Sequence, residues 1–130
     1  MSNIPAPIVT VVPTESWTLL TEASQPVSEK ALIYVTAPGL TDIPAPAFYT
    51  TFTSVYVDAA GAVTLLLPPA DSLGAGMQWL IKDTSGNASS NSITIEGNGY
   101  DLDQFSSFVI NANNGDITLE WNGTAMSIIT

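Results

Sequence analysis

The sequence predicts an all-β protein: an antiparallel β-sandwich or barrel-like meander that follows an extended, proline-rich N-terminal arm. Three observations predict this fold. Apolar and polar residues alternate with period two in several short segments. Eight of the nine glycines lie after residue 60, between these segments, and Asn114 and Asn122 each precede a glycine, which is typical of hairpin turns. Seven of the nine prolines lie before residue 50, and proline favours extended or edge chain.

Residues 1–14 form the predicted arm, and residues 15–130 a single β-domain, with a sub-boundary near residue 50 as an alternative division. The arm contains three prolines together with five branched apolar residues: Ile4, Ile8, Val9, Val11 and Val12. Two interpretations stay open. The arm is an edge strand of its own domain, or it docks on a neighbouring subunit, because a run of exposed apolar residues usually marks a contact. In the second interpretation these five residues are the partner-binding residues.

Short alternating segments predict the strands of the domain. Trp79 and Trp121 lie within such segments, and both are expected to face inward. No window of 11 residues has a convincing helical stripe, so we expect less than about 10% helix. The predicted strands are 16–21, 30–36, 52–57, 63–67, 77–82, 92–96, 107–111, 116–121 and 125–130.

Composition excludes several classes of function. Twelve acidic residues against two lysines give a net charge of −10, so nucleic acids and anionic membranes are not expected partners. The chain has no histidine and no cysteine, which excludes Ser-His-Asp catalysis, zinc fingers and disulfides. It shows no signal peptide and no apolar run of membrane-spanning length, so we expect a protein made in a cytoplasm. The acids are scattered, and we expect no enzyme, cofactor or metal.

Segment 97–103, Gly-Asn-Gly-Tyr-Asp-Leu-Asp, is the second candidate site. Asp101 and Asp103 could offer oxygen ligands to a cation, because the segment faintly resembles calcium-binding repeats. Such repeats occur in tandem, whereas this chain has one copy, so a solvated turn is the preferred interpretation. Tyr100 lies in a glycine-flanked turn and is expected to be the most exposed aromatic residue, which makes it a candidate for stacking on a glycan.

The turn and strand pattern of residues 62–129 resembles a β-module of tailed-bacteriophage virion proteins. The likeness lies in a strand ending in Leu-Pro, an Ile-Lys-Asp strand followed by a Ser-Gly-Asn loop, and a terminal Asn-Gly-Thr hairpin. The segments that carry it are 62–70, 76–88, 92–100 and 113–124. Such modules occur in fibres, spikes and head decoration proteins, and the resemblance implies a virion protein that assembles as a homotrimer.

Length narrows the choice within this class. Fibres and spikes need a shaft, an anchor and a tip, and 130 residues without heptads or tandem repeats do not supply all three. We therefore expect a capsid decoration or cement protein that binds the major capsid protein or other virion subunits and stabilises the assembled shell. The alternative is a receptor- or glycan-binding module of a fibre tip or capsid surface. A carbohydrate-binding domain unconnected to any virion is a third class.

Overall fold

The structure is a computed structural model that describes residues 9–13, 29–47 and 50–130. These residues form ten strands and one 3-10 turn, Ala70–Ser72, and contain no α-helix. The strands are β1 (Val9–Pro13), β2 (Glu29–Val35), β3 (Gly39–Asp42), β4 (Thr50–Val57), β5 (Val63–Pro69), β6 (Gln78–Asp83), β7 (Ile93–Asn98), β8 (Ser107–Ile110), β9 (Asp116–Trp121) and β10 (Met126–Ile128). The prediction of an all-β protein is confirmed.

The strands form two sheets on either side of one core. The six-stranded sheet has the order β1-β2-β4-β6-β9-β10, and the four-stranded sheet has the order β3-β5-β7-β8. From β2 to β7 the chain alternates between the sheets, so each pair of consecutive strands is one turn of a flattened coil. Three such turns stack in parallel, and β8 and β9 then return antiparallel on top of the third turn.

The predicted antiparallel pairing holds for half of the strand pairs among the described residues and is wrong for the other half. Four of the eight strand pairs are parallel: β2 with β4, β4 with β6, β3 with β5, and β5 with β7. A period of two shows which side chains are buried, but it is the same in parallel and antiparallel sheets. Successive strands that the glycine turns suggested as hairpins, such as β4 and β5, instead lie in opposite sheets.

Of the two Asn-Gly turns predicted as hairpins, at Asn114 and Asn122, one forms a hairpin. β9 and β10 pair antiparallel across residues 122–125, where Gly123 has a φ of 109° and the Asn122 side chain accepts the amides of Thr124 and Ala125. At the other turn, Asn114 takes a φ of 63°, but the chain crosses there from the four-stranded to the six-stranded sheet. Both of these Asn-Gly pairs therefore contain a residue with positive φ, as a tight turn requires. Of the two, only the pair at 122–123 joins two strands that are hydrogen-bonded to each other.

The core is a single cluster contributed by both sheets. Val55, Ile81 and Leu119 of the six-stranded sheet meet Leu65 and Ile95 of the four-stranded sheet, and all five side chains are fully buried. Trp79 and Trp121 also belong to the cluster, which confirms that both face inward. The Trp79 indole nitrogen is buried without a hydrogen-bond partner among the described residues.

Part of the predicted N-terminal arm is the edge strand of the protein's own sheet. Residues 9–13 pair antiparallel with β2, with Val9 opposite Ile33 and Pro13 opposite Glu29. Ile4 and Ile8 lie outside the described residues. Of the two interpretations that the sequence left open, the structure shows the edge strand for residues 9–13, and docking on a neighbouring subunit stays a prediction.

Candidate binding surface

The outer face of the six-stranded sheet carries three rows of side chains across β2, β4, β6 and β9. Along these strands, residues that point into the core alternate with residues that point away from it, and Ser54 of the outward set is itself buried. The register places Lys30, Phe52, Gln78 and Glu120 in the first row, Leu32, Ser54, Leu80 and Thr118 in the second, and Tyr34, Tyr56, Lys82 and Asp116 in the third. We call this surface the lysine face.

The lysine face is apolar over β2, β4 and the middle of β6. Its aromatic and leucine side chains are Leu32, Tyr34, Phe52, Tyr56 and Leu80. Tyr34 is 47% exposed, and its ring lies 5.8 Å from that of Tyr56 at an interplanar angle of 52°. A contiguous apolar patch on the outside of a sheet is typical of a contact surface.

Both lysines of this acidic chain lie on the lysine face. The Lys30 ammonium is 5.7 Å from the centre of the Phe52 ring, a cation–π distance. The Lys82 ammonium donates a hydrogen bond to the Asn114 carbonyl at 2.7 Å. Asp116 and Glu120 lie at the β9 end of the rows. The face therefore has cationic positions on β2 and β6 and a carboxylate edge on β9.

The outer face of the four-stranded sheet differs in chemistry. Its first row is Leu40, Thr64, Thr94 and Val109, and its second is Asp42, Leu66, Glu96 and Ser107. These rows contain two carboxylates, no lysine and no aromatic residue. The two broad faces of the protein are therefore chemically distinct, and the aromatic and cationic groups lie together on one of them.

A buried carboxylate fixes the end of the coil beside the lysine face. Asp83 is 1% exposed. One of its oxygens accepts the amide and the hydroxyl of Ser85, and the other accepts the amides of Ala88 and Asn114, at 2.7–3.0 Å. Burial raises the pKa of Asp83, but these hydrogen bonds outweigh it and hold the pKa below its ordinary value. Because Asp83 binds the Asn114 amide, it also positions the carbonyl that Lys82 contacts.

Tyr100 is not the exposed aromatic residue that the sequence predicts. Its ring lies 5.1 Å from that of Trp121, and its hydroxyl donates a hydrogen bond to the Pro68 carbonyl at 2.6 Å. Burial raises the pKa of Tyr100 to about 12. The side chain fastens the 97–103 turn to the domain, and the more exposed aromatic residues are Tyr34 and Phe105.

Asp101 and Asp103 are exposed and do not converge with a third carboxylate. The Asp103 carboxylate accepts the Ile128 amide at 3.2 Å, and the residue has a φ of 56°. Within residues 29–47 and 50–130, no group of three or more acidic side chains is placed to hold a metal ion. The geometry of this turn is that of a solvated loop fastened to β10.

A shallow apolar cleft of about 240 Å³ opens at the start of β2 and β4. Its walls are aliphatic apart from the threonines at positions 50 and 53. The lining residues are Ala31, Ile33, Pro44, Ala45, Pro46, Ala47, Thr50 and Thr53. It offers no charged group to a ligand.

The lysine face is the feature that the sequence did not predict. The alternation in 30–34, 52–56 and 78–82 identifies the outward residues of each strand. It does not show that these three segments are neighbours, because other strands separate them along the chain. A search of the sequence for strands with lysine or aromatic residues at outward positions would have identified these residues. It would not have shown which of them lie side by side in the sheet.

No protein-family model matches the sequence, and no curated protein matches it. In the part of the chain that the structure describes, no helix has the length and apolar character needed to cross a membrane.

Proposed function

We propose that this protein is a structural component of a tailed-phage virion, a capsid decoration or cement protein that acts by binding and not by catalysis. The sequence resemblance over residues 62–129 supports the class. The lysine face is the structural observation that carries the proposal, because aromatic side chains, which are enriched in protein contact surfaces, lie together on it with two leucines.

The mechanism is preferential binding. A protein that binds the assembled shell but not the free subunits stabilises the shell by RT ln(1 + [L]/Kd) at each site, summed over all sites. The partners are the major capsid protein and neighbouring copies of this chain, which the resemblance groups as trimers on the shell. Neither a metal nor a cofactor is needed.

The proposal assigns different contacts to the N-terminal segment and to the lysine face. Residues Ile4, Ile8, Val9, Val11 and Val12 are the proposed contacts to the shell, since the N-terminal segment is rich in branched apolar residues. The lysine face contributes protein contacts within the decorating layer. Burying one large apolar side chain contributes roughly 1.5–3 kcal/mol before ordering costs, so a few of them suffice for a useful affinity.

Binding to emptied, expanded shells tests the function. Purified protein is added to such shells, and co-sedimentation and the temperature of shell disruption are measured. We expect saturable binding and a higher disruption temperature. The variant Leu80→Glu places a charge in the middle of the lysine face and should weaken binding at saturation roughly tenfold or more, because that charge must be desolvated where neighbouring copies meet in the decorating layer. Thr94→Glu, on the opposite face, is the matched control.

A glycan-binding module is the second candidate, and the Tyr34–Tyr56 pair favours it. Both rings lie on an outer sheet face beside Lys82, and sugar rings stack on aromatic faces. Titration with host cell-surface polysaccharide, followed by intrinsic fluorescence, tests this candidate. Saturable binding of the polysaccharide that is lost in Tyr34→Ala, together with no binding to shells, would favour glycan recognition over the decoration function.

A further inference from the structure

The rows of the lysine face are self-complementary. We propose that two copies of this chain pair through their lysine faces, around a two-fold axis that runs parallel to the strands between β4 and β6. This inference rests on the proposed function in one respect, that the lysine face is a protein contact surface, and it names the partner as a second copy of the chain.

The strand order determines which strands meet. A two-fold axis parallel to the strands keeps each row at its own level and reverses the order of the strands. It therefore places β2 over β9 of the second copy and β4 over β6 of the second copy. Every contact then occurs twice, as an isologous interface requires.

The first row pairs opposite charges in this arrangement. Lys30 lies opposite Glu120 of the second copy, and Phe52 lies opposite Gln78. Lysine and glutamate are long side chains, so they can bridge the outer strands where two twisted sheets diverge. The interface contains this charge pair twice.

The other two rows are complementary as well. In the third row, the Tyr34 hydroxyl lies opposite the Asp116 carboxylate, and the Lys82 ammonium opposite the Tyr56 ring. These are a hydrogen-bond pair and a cation–π pair. In the second row, Leu80 lies opposite Ser54 beside the axis, and Leu32 lies opposite Thr118 on the outer strands.

The alternative two-fold arrangement is unfavourable. An axis perpendicular to the strands keeps the strand order and exchanges the first row with the third. Asp116 then lies opposite Glu120 of the second copy, twice, and the lysines meet no carboxylate. Like charges that face each other across an interface cost binding energy. The charges therefore select the axis parallel to the strands.

The size of the face predicts a weak dimer. Four strands about 4.8 Å apart, each contributing about five residues at roughly 3.3 Å per residue, cover roughly 300–400 Å² in projection. Two such faces cover roughly 600–800 Å² in projection, below the total of about 1,200 Å² at which specific, stable interfaces begin. We therefore expect dissociation in the micromolar range and a dimer that salt weakens.

A charge-reversal mixing experiment tests the pairing. Lys30→Glu and Glu120→Lys each replace both charge pairs by like charges, so each variant alone should dissociate roughly tenfold to hundredfold more readily than the wild type. Mixed in equal amounts, they restore Lys–Glu at one position and Glu–Lys at the other. Sedimentation velocity should then show a mixed dimer within about threefold of wild-type affinity.

Glu96→Lys is the matched control, because it makes the same substitution on the outer face of the four-stranded sheet and should leave the dimer unchanged. Far-UV circular dichroism verifies that every variant is folded. A wild type that stays monomeric at several hundred micromolar, an oligomer that the charge reversals do not weaken, or a mixture no more associated than its components would overturn the pairing.

Shell binding separates this inference from the proposed function. A monomeric wild type that still binds expanded shells would overturn the pairing and leave the decoration function in place. If mixing the two variants restores the dimer but the wild type does not bind shells, the pairing is supported and the decoration function is contradicted.

Discussion

At the scale of single residues, Asp83 shows how one carboxylate can organise two loops. It is the last residue of β6, and its oxygens accept hydrogen bonds from the loop that follows and from the 113–114 turn. A buried carboxylate is tolerated only when its hydrogen-bonding capacity is used. The sequence indicated an Ile-Lys-Asp strand followed by a Ser-Gly-Asn loop, but not that the aspartate between them is buried.

Replacing Asp83 by asparagine should destabilise the protein and reduce its acid sensitivity. The side-chain amide nitrogen introduced at this position would face backbone donors that the carboxylate accepts, so we expect a loss of roughly 2–4 kcal/mol at pH 7. Urea unfolding of both proteins between pH 7 and pH 3 measures the effect. Asp101→Asn, at an exposed position, is the control.

The direction of the pH effect follows from the lowered pKa of Asp83. The unfolded state has the ordinary value of 3.8, so it binds more protons than the folded state as the pH falls. The stabilisation is therefore complete at neutral pH and is lost as the pH falls through 3.8 toward the lower folded value. Equal acid sensitivity in the wild type and in Asp83→Asn would contradict this role.

At the scale of elements, the 97–103 turn depends on a close approach of the backbone. A Cβ atom at Gly97 would overlap the Tyr100 carbonyl and lie 2.9 Å from the Tyr100 ring. Tyr100 in turn packs on Trp121 and donates a hydrogen bond to the Pro68 carbonyl, and with the buried Leu102 it fastens the turn to the core.

Gly97→Ala should therefore lower the free energy of unfolding by roughly 1–3 kcal/mol, because the backbone must shift to admit the methyl group. Thermal unfolding measures it. Gly74→Ala is the matched control, because a Cβ there lies at an ordinary distance of 3.6 Å from the end of the Met77 side chain. An effect no larger than that of the control would show that the turn can relax.

Two deletions can distinguish the role of the N-terminal segment in the sheet, as strand β1, from its proposed role in binding the shell. Deleting residues 2–8 leaves β1 in place, whereas deleting residues 2–13 removes it and makes β2 the edge of the sheet. We expect both proteins to keep the far-UV circular dichroism of a β-protein, and the longer deletion to unfold at a lower temperature. Shell binding should weaken at least tenfold in both if Ile4 and Ile8 make the contact.

Loss of the folded state in the longer deletion would show that β1 is essential to the fold. Undiminished shell binding by both deletions would place the attachment surface elsewhere, and the loops at 83–91 and 97–103 would be the next segments to test.

At the scale of the whole molecule, alternation between the sheets ties the strands into one unit. Each turn of the coil places one strand in each sheet, and the core cluster draws side chains from both. The two sheets therefore cannot separate without disrupting the core that they share.

We expect one cooperative unfolding transition. Leu65→Ala in the four-stranded sheet and Leu119→Ala in the six-stranded sheet should each lower the same transition by roughly 2–5 kcal/mol, because both side chains are fully buried. Urea unfolding followed by tryptophan fluorescence and by circular dichroism measures it. Two separate transitions, each sensitive to only one variant, would contradict a single unit.

Local patterns in the sequence were enough to predict the class of the fold, the inward-facing tryptophans and most strand positions. Period-two alternation and glycine or proline punctuation act within a few residues, and they report local backbone form and the burial of each side chain. The strands at 63–67, 77–82 and 116–121 were predicted almost to the residue for this reason. Asn122-Gly123 also identified its hairpin, because that turn joins two neighbouring strands.

Only the tertiary structure decided which strands are neighbours, and therefore which residues form the lysine face. Lys30, Phe52 and Gln78 are separated by 22 and 26 positions in the chain, with a strand of the other sheet between each pair, yet they lie in one row. Parallel pairing of this kind depends on how the whole coil closes around its core, and no local pattern reports it. The exposure predicted for Tyr100 was wrong for the same reason, since its burial depends on Trp121 and Pro68, which are distant in sequence.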